Sequence, residues 1–257
     1  MGITVSGGSI TVDGGSLNLI NKLNIVRDNL LFHLDASNPS SYNGSGTTWY
    51  DISGNGNHAT LEPDQDSNYP GFVSNGVASY FTFTGGTEAN AEFVESIDVT
   101  GYSTLTIDVW FWEDDNGGRI AGGGDRDLIK YVPDGARDST YTFNSTAYSG
   151  DWYFRTDGDG NIQSRFDDSN IQISEATWYR FCYTTNGTLW IDETEYTKGV
   201  GEASLVDDTF DGPLQFGQTR GVNYALDGRI ANILVYDGAL TDAQIQQNYD
   251  ALSYRYT

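Results

Sequence analysis

Two kinds of residue in this 257-residue chain could bind or cleave a ligand: carboxylates set in Gly/Asn turns, and aromatic rings on alternating strands. Calcium takes about 6–8 oxygen ligands, and Asp157-Gly-Asp159-Gly-Asn161 opens like a calcium loop, with Asp168 at the twelfth position. Ile162 stands where such a loop needs Gly, and an Asp-Gly hairpin turn gives the same string, so the turn is the favoured reading. Hydrolysis of a glycosidic bond needs two carboxylates across one linkage, and Asp192-Glu193-Thr194-Glu195 is the nearest approach to such a pair. Glu193 and Glu195 fit an exposed hairpin edge better. A Ser triad is unsupported: there is no G-x-S-x-G, and only His33 and His58 could act as base. Those two His and the one cysteine, Cys182, match no zinc spacing. The Gly run Ala121–Asp125 lacks the Lys-Ser/Thr ending of a phosphate loop.

Sugar recognition uses an exposed ring to stack on the apolar face of the sugar, with nearby polar groups to take its hydroxyls. Trp110, Trp112, Tyr148, Trp152 and Tyr224 are candidates. Aromatic residues in a β-protein are mostly core, and the alternation of Leu105, Ile107, Val109 and Phe111 against Thr106, Asp108, Trp110 and Trp112 leaves both roles open for the two tryptophans.

The elements that must position these residues are strands. With 6 Trp, 17 Tyr and 12 Phe the chain can fill a large core, while abundant Gly and scarce helical periodicity point to many short strands joined by tight turns. The pattern predicts strands over 30–34, 80–84, 104–112, 152–156, 162–166, 178–185, 189–192, 213–217 and 225–236. Asn186-Gly187 is a hairpin signal, and Ile230, Ile233, Leu234 and Val235 mark a central strand buried on both sides. One helix is predicted near the end, with Thr241 as N-cap, Gln244 as its capping-box partner and Leu240/Ile245 as a hydrophobic staple. Ile245, Tyr249 and Leu252 form its apolar face. Cys182 has no partner for an internal disulfide and reads as a buried thiol.

The net charge of −23 repels phosphate backbones and anionic lipid, so neither nucleic acid nor membrane is an expected partner. No secretory leader and no membrane span are visible in the sequence, so synthesis and folding in the cytoplasm are expected. Residues 3–19 contain a short repeat, Ile3-Thr-Val-Ser-Gly-Gly-Ser9 and Ile10-Thr-Val-Asp-Gly-Gly-Ser16, followed by Leu17-Asn-Leu19. Ile-Thr-Val is wrong for a linker, and a narrow ribbon cannot bury enough surface to stand alone. Ile3, Val5, Ile10, Val12, Leu17 and Leu19 are therefore expected to anchor an arm, on its own domain, a sister subunit or a shell.

Three stretches carry a family resemblance: Leu34–Tyr42 (LDASNPSSY), Trp49–Leu61 (WYDISGNGNHATL) and Asp227–Tyr236, with Ala239–Tyr249 similar to a closing helix. Together they resemble the concanavalin A-like lectin/glucanase superfamily in its laminin G-like branch, in wording similar to modules of tailed-phage virion proteins. The resemblance implies an all-β, two-sheet antiparallel jelly-roll sandwich at 27–257, behind an N-terminal β arm and linker at 1–26. It implies a calcium ion at the turn holding Asp51, Asn55 and Asn57 with Asp35 nearby, although a purely structural turn is an equal reading. The family's glucanases share an E-x-D-x-E strand, and 192–195 lacks its alternation. The expected role is a non-catalytic surface protein of a phage particle, on head or tail, meeting other virion proteins, further copies of itself and a host-surface glycan. The rival roles are a free carbohydrate-binding module or adhesin, and then a glucanase-like hydrolase.

Overall fold

A computed structural model describes residues 3–6, 9–12, 15–17, 24–84, 92–113, 119–123, 126–132, 151–155, 162–166, 176–184, 188–197, 213–217 and 226–256. The strands, in chain order, begin with β1 (Ile3–Ser6), β2 (Ser9–Val12) and β3 (Gly15–Leu17), a small antiparallel sheet of their own. There follow β4 (Leu30–Asp35), β5 (Thr48–Trp49), β6 (Ala59–Glu62), β7 (Gly71–Val73), β8 (Tyr80–Thr84), β9 (Phe93–Asp98) and β10 (Leu105–Glu113). Next come β11 (Arg119–Gly123), β12 (Arg126–Val132), β13 (Asp151–Arg155), β14 (Ile162–Phe166), β15 (Trp178–Thr184), β16 (Thr188–Ile191) and β17 (Thr194–Thr197). β18 (Pro213–Phe216), β19 (Asp227–Asp237) and the helix α1 (Asp242–Leu252) complete the set.

Two large antiparallel sheets carry the body. One runs β17-β16-β15-β10-β19-β8-β7, with β4 also paired to β19; the other runs β14-β13-β12-β11-β18-β9-β6-β5. The central strand is β19, as its double-sided apolar pattern requires: β10 lies along one edge, and β8 and then β4 share the other. Between the sheets lies a core of alternate residues that includes Leu105, Ile107, Val109 and Phe111 of β10, with Trp49, Phe81 and Phe216. The expected two-sheet sandwich is thus the fold.

A second core sits on the outer face of the β10/β19 sheet, under α1. Ile245, Ala251 and Leu252 of the helix pack there with Trp110, Cys182, Leu234 and Tyr236. Thr241 accepts from the Gln244 N–H, and the Gln244 side chain accepts from the Thr241 N–H, so the capping box closes as its sequence requires. Asn24–Val26, read from sequence as the end of a linker, belongs to this layer: Ile25 and Val26 are buried, Val26 donates its N–H to Asn248 Oδ1 at 2.9 Å, and Tyr236 Oη donates to the Val26 carbonyl at 3.1 Å.

Candidate functional site

The turn after β5 is built around one carboxylate. Asp51 Oδ1 accepts from the N–H groups of His33 (2.9 Å) and Ser53 (2.7 Å), and Oδ2 accepts from Ser53 Oγ (2.7 Å) and the Asn57 N–H (3.1 Å). Burial raises its pKa, but these donors outweigh that and hold it below the ordinary carboxylate value. Asn55 Nδ2 donates to the Leu30 and Leu31 carbonyls, and Asn57 Nδ2 donates to Leu31 at 2.8 Å. The Asp51 N–H reaches His58 Nδ1 at 3.1 Å. The Gly54 and Gly56 backbones have φ of +102° and +78°, the left-handed region that glycine tolerates. Asp35 has partners of its own, with Oδ1 accepting from the Ser37 N–H and Oδ2 from Arg255 at 2.7 Å. The four residues expected to hold calcium therefore bind protein partners, and a cation would have to displace the donors on Asp51. Among the described residues no group of three or more His, Cys, Asp or Glu side chains is placed to hold a metal ion.

On the outer face, Asp108 is almost wholly buried and takes Arg180 on both oxygens, Nε at 2.8 Å and Nη2 at 2.5 Å. Burial alone would lower the Arg180 pKa, but Asp108 beside it raises it on balance. Asn248 of α1 donates to Asp108 Oδ2 at 3.2 Å and to Tyr236 Oη at 3.0 Å, tying the helix to the sheet. The nearby Cys182 thiol is raised in pKa, first by burial and then by Asp108, which suits an inert thiol. Glu193 and Glu195 lie exposed at the β16–β17 edge.

Trp110 is corrected as a ligand-binding candidate. It is 2% exposed, stacked on Tyr256 at 4.4 Å and near Tyr249 at 5.9 Å, because α1 and the segment after it cover this part of β10. Trp112, two residues on and on the same face, is only half-buried. It stands in register with Trp178 of β15 on one side and Arg229 of β19 on the other, and Arg229 is in register with Thr82 of β8. Tyr80, two residues from Thr82, joins this row. Trp112 meets Trp178 edge-on at 5.7 Å, Tyr80 meets Trp178 at 5.6 Å, and the Arg229 guanidinium lies 4.4 Å from the Trp112 ring and 5.0 Å from that of Tyr80. Tyr256 borders the row at 5.0 Å from Trp178. The result is a ring-lined strip beside α1, held by cation–π contacts of about 0.5–2 kcal/mol each. Sequence reasoning picked out Trp112 and missed Tyr80, Trp178 and Arg229. The signal was a Trp opening β15 and the one cation on the central strand.

Trp152 does not join the strip. Its register partner is Tyr131 on β12, and Ile129 two residues earlier pairs Ala121, which pairs Phe216 of the inner core. Tyr148, Tyr224, Leu19, the Asp157–Asn161 turn and Asn186-Gly187 lie outside the described residues. Of the anchoring set, Ile3, Val5, Ile10, Val12 and Leu17 lie in β1–β3.

No protein-family model matches the chain, and no curated protein matches it. Solved structures do. Domain 4 of a GH43 extracellular arabinanase from Geobacillus stearothermophilus, in complex with arabinotriose, aligns with a TM-score of 0.57 at 12% identity, covering 86% of this chain and 98% of that one. A Trypanosoma rangeli sialidase in complex with 2,3-difluorosialic acid aligns at 0.59 and 14% identity over 99% of this chain and 37% of its own. The binding domain of botulinum neurotoxin DC, in complex with rat synaptotagmin II, aligns at 0.56 and 13% identity over 88% and 52%. The chain spans about a third of the sialidase and half of the toxin domain. These similarities show a β-sandwich fold.

Proposed function

We propose that the protein is a carbohydrate-binding β-sandwich module that holds its ligand by ring stacking, without cleaving it. The observation that carries this is the half-buried Tyr80–Trp112–Trp178 strip with Arg229 between Tyr80 and Trp112. Flat rings on a rigid sheet fit the C–H face of a sugar, and the guanidinium offers fixed donors to its hydroxyls. The arabinanase domain, solved with arabinotriose, gives the same fold a sugar-bound precedent, which is support by analogy. The finer reading, a module on the surface of a tailed-phage particle facing a host glycan, rests on the wording of Leu34–Tyr42 and Trp49–Leu61 and on the arm at the N-terminus.

The test is binding of the purified chain to a panel of neutral and acidic oligosaccharides, followed by titration calorimetry on any hit. Trp112→Ala and Trp178→Ala should each weaken binding by about 2 kcal/mol, near thirtyfold, as loss of a central aromatic does at other interfaces. Trp110→Phe, which alters the layer under the helix, should leave affinity unchanged. No binding to any glycan, or binding by the two alanine variants as tight as the parent's, would refute the reading; release of shortened sugars would replace it with hydrolysis.

A further inference from the structure

The small N-terminal sheet is sorted by face. Ile3 pairs Val12, Val5 pairs Ile10, and Ile10 pairs Leu17, so register puts these five apolar residues on one face. Thr4 pairs Thr11, Ser6 pairs Ser9, and Thr11 pairs Ser16, which puts the hydroxyl residues on the other. β1 and β3 are the edges of this sheet, and neither contains a charged residue or a proline, the usual guards against pairing with another chain. Charge points the same way. Residues 1–23 hold one acid, Asp13, and one base, Lys22, so the whole net charge of −23 lies on the rest of the chain. Two sandwiches bearing that charge repel one another, and the neutral N-terminal segment is where two copies can meet at least electrostatic cost.

From these observations we infer that the β1–β3 sheet is a self-association surface whose partner is a second copy of this chain, packed apolar face to apolar face. Such a contact is isologous and closes on itself. Ten aliphatic residues, five from each copy, would bury on the order of 1,000 Å², the lower bound of a specific interface, so association is reversible and concentration-dependent. Pairing gives two ligand strips per particle of protein, and with them avidity for a repetitive surface. The inference does not depend on the identity of the ligand.

Sedimentation velocity of the full chain across a concentration series, in buffer of moderate ionic strength, tests it. The expected result is a monomer–dimer boundary that Ile10→Asp, in the middle strand of the apolar face, shifts entirely to monomer. Thr11→Asp, one residue away on the hydroxyl face, should dimerise as the parent does, and all three proteins should share one melting temperature for the sandwich. A parent chain that stays monomeric up to about 100 µM, a contact weaker than about 5.5 kcal/mol, would overturn the inference. So would an Ile10→Asp variant that dimerises like the parent, or a Thr11→Asp variant that is as monomeric as Ile10→Asp.

Discussion

Mild acid should destabilise this protein through one side chain. His33 on β4 is 6% exposed, its Nε2 lies 3.0 Å from Asn232 Nδ2, and its Nδ1 is buried without a hydrogen-bond partner. Burial pushes its pKa down from 6.5 to about 4; the Asp35 carboxylate pulls it up, Arg27 and Arg255 push it down, and Asp51 pulls it up again. The sign follows directly. The unfolded chain takes a proton near pH 6.5 and the folded chain resists until about pH 4, so between those values the unfolded state binds more protons and stability falls as pH falls. A gap of about 2.5 pKa units at 1.36 kcal/mol each is about 3 kcal/mol, against a typical total of about 5–15 kcal/mol. Asp51, held below its ordinary value, adds its own loss only lower, as pH falls beneath the carboxylate range. Asp192 and Glu62 are raised, by burial first, and act in the opposite sense near that range, so a variant comparison is needed. Urea unfolding should be followed at intervals from pH 7 to pH 4.5 for the parent and His33→Gln. The parent should lose stability across that window and His33→Gln should be nearly flat. A parent curve without slope, or the same slope in both proteins, would refute the argument.

Two further outcomes test the packing. Asp108→Asn leaves Arg180 buried opposite a neutral amide and should cost about 3–5 kcal/mol in urea unfolding, whereas a cost below about 1 kcal/mol would mean the pair is solvated. Asp51→Ala removes four hydrogen bonds and should cost about 3 kcal/mol, with chelator leaving the parent's Tm unchanged. A parent Tm that falls on chelation, in a way Asp51→Ala abolishes, would place calcium in the turn.

Local patterns were legible and long-range coverage was not. Residues 80–84 and 162–166 are strands as predicted, and the capping box at Thr241 and Gln244 was plain because both partners lie within four residues. The short strands β7, β9, β11, β12 and β17 lack clean alternation, and pairing across the sheet defines them. Trp110 and Trp112 are the same residue type on the same face of one strand, and only the distant Tyr249 and Tyr256 settle which of them is covered. The family resemblance left the Asp51 turn open between a calcium site and a purely structural turn, because the residues that coordinate a cation also cap backbone N–H groups. What separates the two roles is where β4 runs, through His33, Leu30 and Leu31.

The clasp between Val26 and Asn248 joins positions 222 residues apart. On the ribosome, strands of the sandwich can zip up as they emerge, but the outer layer cannot close until α1 has left the exit tunnel. A nascent chain must therefore carry Trp110 bare while roughly 130 further residues are added before α1, and a stop codon ahead of Asn248 would make that exposure permanent.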